Sequence, residues 1–308
     1  MREAVYNMAN IHFTGIIPAL VTPLKADETI HEETARRLMN WQMDQGVDGF
    51  YLCGGTGEGP VVQPGERMKL AEIAREETAA RGKKLIVHVG CVDLKSAIEL
   101  AEHAGKIEAD GISSVPPFFF HYGEEEIRQY YTALAEAARV PVIMYASPLS
   151  GVNITWDMVE RLLDVPYMAG VKWTSYDYYT MRRIKELNGG DINVLNGPDE
   201  LLLCGLAMGA DGGVGATYNI MPRLYCRLYE AFRAGQMEEA QKLQYKANRV
   251  IQILIRYGVV PSVKEILKRM GYDCGYCVYP AKRLELEEDQ KLNKELDELR
   301  FEEEYVNL

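Results

Sequence analysis

The chain is poor in histidine and in positive charge, and both shortages narrow what it can do. Its five histidines, at 12, 31, 88, 103 and 121, stand apart, so none has the spacing of a metal-ligand set. Lysine and arginine number 34 against 45 acidic residues, for a formal charge of -11. That balance speaks against nucleic acid or an anionic membrane surface as a partner. No apolar stretch approaches the roughly 20 residues of a membrane span. The opening Met1-Arg2-Glu3-Ala4-Val5-Tyr6-Asn7 lacks the apolar core and small-residue cleavage site of a signal peptide. The six cysteines are scattered at 53, 91, 204, 226, 274 and 277. Four lie in apolar runs, the usage of buried free thiols in a reducing compartment, and a cytoplasmic protein is expected. Cys274 and Cys277 have metal-like spacing, but no second pair or histidine nearby completes four ligands. Walker A and Gly-x-Ser-x-Gly patterns are missing. So is the Gly-x-Gly-x-x-Gly turn of a doubly wound sheet; Val21-Thr22-Pro23 stands where it would follow the first strand.

The chain does hold a large apolar fraction, 47% of 308 residues, ample for one barrel or two smaller domains. Short apolar runs recur at intervals of about 25 to 35 residues, with amphipathic stretches between them. The runs are Gly15–Pro23, Gly49–Gly54, Leu85–Gly90, Asp110–Pro117, Pro141–Pro148, Met168–Ser175, Ile192–Asp199 and Ala210–Asn219. Near-continuous hydrophobicity marks parallel strands buried on both faces. The pieces Glu32–Gln45, Pro64–Ala80 and Leu94–Glu108 carry apolar residues at helical spacing. This alternation predicts an α/β fold, a (β/α)8 TIM barrel over residues 1–221. From 222 to 308 the pattern is helical, a C-terminal extension packed on the barrel. Its expected helices are Arg223–Ala234, Met237–Tyr257 and Ser262–Met270, with Gly258 and Pro261 as breaks. The acidic stretch Arg283–Leu308 reads as a solvated helix, a candidate for a subunit contact.

In such a barrel the active site lies at the C-terminal strand ends, and unusual residues fall there. Lys172 sits in Met168-Ala169-Gly170-Val171-Lys172-Trp173-Thr174-Ser175. Strand alternation puts Val171 and Trp173 on one face and Lys172 on the other, toward the interior. An amine held out of water is more easily neutral, and a neutral amine attacks a ketone to give a Schiff base; a snorkelling lysine is the plain alternative. Strand two ends Cys53-Gly54-Gly55-Thr56-Gly57-Glu58-Gly59, a turn that can aim N–H groups at a carboxylate or serve only as a flexible turn. Tyr145, at the end of strand five, is core filler or a proton shuttle beside the lysine and a threonine hydroxyl. Asp199 and Glu200, after Gly197 on strand seven, either cap the next helix or accept hydrogen bonds from a polyol. The glycines of strand eight, Gly209 to Gly215, cradle a phosphate or admit a bulky substrate.

Taken in order along the chain, GGTGE at 54–58, Tyr145, GVKWTS at 170–175 and GADGGVGATYNIM at 209–221 resemble the pyruvate-dependent class I aldolases of the dihydrodipicolinate synthase and N-acetylneuraminate lyase family. The resemblance runs from Gly15 to about Pro280. HVGCV at 87–91, LSGV at 149–152, NGPDE at 196–200 and TYNIM at 217–221 are most similar to the lyase branch. The synthase branch usually has an arginine after the strand-five tyrosine, where this chain reads Ser147-Pro148-Leu149-Ser150-Gly151.

The resemblance implies a Schiff-base aldolase that cleaves N-acetylneuraminate (sialic acid) reversibly to N-acetylmannosamine and pyruvate. It implies Lys172 as the Schiff-base lysine, Tyr145 as the acid/base, and Gly55 and Thr56 on the pyruvyl carboxylate. Thr174 would lie near the hydroxyl at the bond cleaved, and Gly197, Asp199 and Glu200 on the polyhydroxylated tail, with Ala216 beside them. No cofactor beyond the covalent lysine is implied, and the partners are a small sugar acid and three copies of the chain in a homotetramer.

The chain also departs from the family. Gly55 replaces a frequent hydroxyl residue, Ala216 replaces the serine usual before TYN, and Phe119 stands where many synthases have a tyrosine reaching across a dimer. The loop after Tyr145 is one residue shorter than in some lyases. Three other readings stay open: a pyruvate aldolase or dehydratase acting on a different 2-oxo acid, a non-enzymatic sugar-acid sensor, and a phosphosugar enzyme.

Overall fold

The structure, a computed structural model, describes residues 12–308. Among these residues eight strands alternate with eight helices. The first half runs β1 Gly15–Pro18, α1 Glu32–Asp44, β2 Gly49–Leu52, α2 Pro64–Ala80, β3 Lys84–His88, α3 Leu94–Lys106, β4 Gly111–Ser114 and α4 Glu124–Ala138. The second runs β5 Val142–Ala146, α5 Trp156–Leu162, β6 Met168–Trp173, α6 Tyr178–Lys185, β7 Asn193–Asn196, α7 Leu202–Ala207, β8 Gly212–Gly215 and α8 Pro222–Arg233. Every strand pairs in parallel, in the order β1-β8-β7-β6-β5-β4-β3-β2. A parallel bridge between Ala19 and Tyr51, with Leu20 N–H donating to the Tyr51 carbonyl at 3.0 Å, joins β1 to β2. The result is the (β/α)8 barrel the alternation predicted.

Each expected run contains the body of a strand, but the strands are shorter. Leu20 and Val21, for example, are fully buried beyond the end of β1. Burial at the barrel rim extends past the ladder, and hydrophobicity reports burial, not pairing.

The helices start where their sequence permits. Asp93 accepts from Ser96 N–H at 2.8 Å to cap α3, Asp177 does the same from Thr180 at 3.0 Å for α6, and α2 opens on Pro64, whose missing N–H is not needed there.

Two apolar shells result. The outer lies between strands and helices; the inner fills the barrel with Ile17, Tyr51, Ile86, Ile143, Tyr145, Leu195 and Val214. Along β5 the pairing with β6 shifts: Val142 faces Met168, but Ile143 faces Gly170. One residue is therefore extra on β6, a bulge that re-aims the rest of the strand. After it Val171 and Trp173 join the outer shell, and Lys172 points inward.

Helix α8, which the sequence pattern groups with the extension, serves as the eighth helix of the barrel alternation; three further α-helices follow it, α9 Met237–Tyr257, α10 Val259–Arg269 and α11 Leu286–Glu298. Gly258, with φ 102, separates α9 from α10. Pro261 does not break α10. It sits in the first turn, where a proline costs no hydrogen bond. The final acidic stretch is less solvated than its composition predicts. Leu292, Leu296, Phe301 and Tyr305 are buried, and Arg269 pairs with both Asp297 and Glu302 at 2.7 Å. Its apolar stripe covers the extension of the same chain. Among the described residues no helix is long and apolar enough to cross a membrane.

Candidate active site

A cavity of about 690 Å³ opens at the C-terminal ends of the strands. Lys172 on β6 and Tyr145 on β5 stand side by side on its floor, directly paired across the ladder. Lys172 is only 4% exposed. Its Nζ lies 4.1 Å from the centroid of the Tyr145 ring and 4.2 Å from that of Tyr51. Two aromatic faces thus replace much of the water an ammonium would have. This is an interior amine, not a snorkelling one. Tyr51 is anchored in turn, its hydroxyl donating to Ser113 Oγ at 2.9 Å.

Burial pushes the Tyr145 hydroxyl up, but the Lys172 ammonium and the Thr174 and Ser147 hydroxyls outweigh it, and the net direction is down. A phenol so placed exchanges protons more readily than an ordinary tyrosine. Thr174 follows β6 and turns its Oγ1 into the site. That oxygen is buried and, among the described residues, completes no hydrogen bond of good geometry. The same hydroxyl contributes to the lowering of the Tyr145 phenol. His88, on β3, presents its ring edge-to-face to Tyr145 with centroids 6.0 Å apart. Burial first, then the Arg67 and Lys172 charges, hold its pKa well down. Its Nε2 accepts from Val115 N–H at 3.3 Å. A neutral imidazole therefore borders the amine.

The loop after β2 begins and ends on left-handed residues, Cys53 and Glu58, each at φ 55. Glu58 N–H bonds to the Gly55 carbonyl and Gly59 N–H to the Gly54 carbonyl, both at 3.1 Å. Thr56 lines the cavity. Gly55 does not: it is exposed at the loop tip, outside the lining that holds the other eight expected residues.

On the opposite side, Gly197 packs so closely on Thr174 that a Cβ there would lie 2.0 Å from its Oγ1. Asp199 is 7% exposed and caps no helix. Its Oδ2 accepts from both the N–H and the Oγ1 of Thr217, each at 2.6 Å. Burial pushes its pKa up to about 6 against the lowering effect of those bonds. Glu200 accepts from the Tyr176 hydroxyl at 2.6 Å. Helix α9 holds this turn from behind, with Gln244 Nε2 donating to the Asp199 carbonyl at 3.0 Å and Asn248 Nδ2 to that of Glu200 at 3.1 Å.

The glycines of β8 have a packing role. A Cβ on Gly213 would lie 2.5 Å from the Tyr218 hydroxyl, and one on Gly215 would lie 2.3 Å from Asp199 Oδ1. They admit neighbouring side chains, which removes the observation behind a phosphate cradle. Ala216 lines the cavity, and Phe119 is 72% exposed against Phe120. Sequence reasoning missed Tyr51 and His88, and also the aliphatic wall of Ile251, Ile255 and Val259 that the extension contributes. Strand alternation in Gly49-Phe50-Tyr51-Leu52 was the available signal for Tyr51. Among the described residues no group of His, Cys, Asp or Glu converges as a metal site, and Cys274 and Cys277 are buried free thiols.

An amine, an acidified phenol and a hydroxyl grouped at the base of this cavity can form an iminium from a 2-oxo acid and shuttle its protons. The sequence profile of the dihydrodipicolinate synthetase family matches residues 12–299. An N-acetylneuraminate lyase from Enterobacter sp. (strain 638) is 39% identical over 259 residues, which cover 83% of this chain and 86% of the relative. Among solved structures, the N-acetylneuraminate lyase of Proteus mirabilis superposes with a TM-score of 0.89 at 28% identity, covering 94% of this chain and all of its own. A catalytic lysine mutant of the Ruminococcus gnavus sialic acid aldolase gives 0.89 at 29% identity, over 96% and 98%.

Proposed function

The chain belongs to the dihydrodipicolinate synthetase family, and we propose that within it this protein is a class I aldolase, a lyase that cleaves N-acetylneuraminate reversibly to N-acetylmannosamine and pyruvate. The observation that carries the reading is the inward Lys172 paired with Tyr145 across adjacent strands. Similarity to lyases and sialic acid aldolases over most of the chain supports the substrate.

In the open-chain sugar acid, the Lys172 amine adds to the C2 ketone and loses water to form an iminium. The C3–C4 bond then breaks, its electrons flowing into the iminium to leave an enamine. Tyr145 takes the proton of the C4 hydroxyl, beside Thr174, and the C4 aldehyde leaves as N-acetylmannosamine. Protonation at C3 and hydrolysis return the amine and free pyruvate. Thr56 binds the carboxylate, a role supported by its place in the cavity. Gly197, Asp199, Glu200 and Ala216 line the end that takes the hydroxylated tail. The lysine supplies the electron sink itself, so the chemistry asks for no cofactor. The family resemblance supports a homotetramer, and the six free cysteines support a cytoplasmic enzyme.

Intact mass after borohydride reduction with pyruvate tests the reading. One reduced adduct is expected on the wild type and none on Lys172→Ala, which should also lose nearly all turnover. No adduct on either protein overturns the mechanism. Pyruvate released from 2-keto-3-deoxy-gluconate but not from N-acetylneuraminate would overturn the substrate.

A further inference from the structure

The loop that carries Thr56 is tied to the C-terminal extension by a buried ion pair. Glu58, which closes that loop in a left-handed conformation, is 8% exposed, and its Oε1 lies 2.8 Å from Nζ of Lys264 on α10, whose side chain is 1% exposed. The contact is an ion pair without good hydrogen-bond direction; the directed bond of Lys264 goes to the Tyr276 carbonyl at 2.8 Å. The other oxygen, Glu58 Oε2, accepts from Val278 N–H at 2.7 Å. Both partners therefore grip the strap 274–278 that follows α10. That strap is itself fixed to the loop after β1. Leu24 N–H donates to the Cys274 carbonyl at 3.1 Å, and at Gly275 the backbone comes so close that a Cβ would sit 2.1 Å from the Leu24 carbonyl oxygen.

Taking two charges out of water is costly, and a hydrophobic pair would hold a helix against a barrel at least as well. What the ion pair adds is a defined position. The bonds inside residues 54–59 make a stiff turn, so a displacement at Glu58 moves Thr56 two residues away. The tail side of the cavity is held independently, by Gln244 and Asn248 of α9.

We propose that Glu58 and Lys264 are positioning residues which set the height of the Thr56 loop, so that this contact of α10 governs affinity for the pyruvyl carboxylate and not for the sugar. This rests on the aldolase reading and on Thr56 as the carboxylate contact.

The test is bisubstrate kinetics in the condensation direction, with melting temperatures for each variant. Glu58→Gln and Lys264→Met are each expected to raise KM for pyruvate about tenfold while KM for N-acetylmannosamine stays within about twofold. The double variant Glu58→Gln/Lys264→Met leaves neither charge unpaired. It should regain most of the melting temperature the single variants lose without regaining pyruvate affinity. The proposal is overturned if both KM values move together, if neither moves, or if the double variant recovers KM along with stability. Should the single variants not fold, the double variant carries the same comparison; its failure to fold would make the pair a folding requirement and also overturn the proposal. The wild-type borohydride adduct separates the two ideas. Without it the aldolase reading falls, whereas an adduct with an unmoved KM ratio sinks the positioning role alone.

Discussion

Replacing Asp199 by asparagine removes a carboxyl that burial pushes from an ordinary 3.8 up to about 6. At that pKa roughly nine molecules in ten carry the charge at pH 7 and roughly one in ten at pH 5. If the carboxylate grips the hydroxyls of the tail, KM for the sugar acid should rise about tenfold between pH 7 and pH 5 while kcat stays nearly level, because Asp199 is remote from the bond broken. The asparagine variant should show a high KM at both values and no slope.

Stability should move in a related way. A folded-state pKa above the unfolded one means that the native state prefers the protonated acid. The buried group then costs nothing below about 3.8, and the cost accumulates as pH rises through about 6. Two units correspond to about 3 kcal/mol in all. Asparagine never pays it. The stability of the variant relative to the wild type should therefore improve by about 1 kcal/mol from pH 5 to pH 7, read by denaturant titration at each pH. Steady-state kinetics at five or six pH values decides the functional half. A wild-type KM that is flat between pH 5 and 7, or an asparagine variant that keeps the slope, refutes the reasoning.

Two further substitutions probe the floor of the cavity. Tyr145→Phe should fold as the wild type does and still form the pyruvate adduct, yet lose about 100-fold or more in turnover; an unchanged rate would require another proton carrier. Gly197→Ala drives a methyl group to 2.0 Å from Thr174 Oγ1, so it should lower kcat at least about tenfold and cost about 1–3 kcal/mol by thermal denaturation. Full activity would mean that Thr174 does not need its place.

Much of this site was legible in the sequence because the barrel rule converts position along a strand into position in space. Lys172, Tyr145 and Asp199 stand out as unusual residues at strand ends, Thr174 and Gly197 follow from the family resemblance, and the fold brings all five around one cavity. Gly55 shows the limit of that rule. A loop this rich in glycine can turn either way, and here it lifts Gly55 to the surface while Thr56 faces in. The packing role of Gly213 and Gly215 was hidden for a different reason: Tyr218 folds back on both from the turn after β8, and Asp199 reaches Gly215 from the end of β7, approaches that no strand or helix periodicity encodes. The aliphatic wall from α9 and α10 was obscure for the same cause. Lys264 did leave a trace. It falls on the apolar stripe of α10 beside Val263 and Leu267, all buried, and a lysine on such a stripe needs a buried partner. The acidic tail misled because charge was counted over the segment, while burial depends on the few leucines and aromatics along one side.

The additional residue in β6 makes the placement of the reactive amine a matter of parity. Without that one-residue offset, the first strand residues that face inward would send position 172 toward the surrounding helices. An insertion or deletion of a single residue upstream of Gly170 would then exchange a nucleophile for an outward cation without altering any chemical group. Sites two residues apart on this strand share the interior, so an amine moved from 172 to 174 would still look into the cavity, one layer higher, where the polar rim begins. Relocating the nucleophile is thus an even-step operation on this scaffold, and odd steps are closed to it.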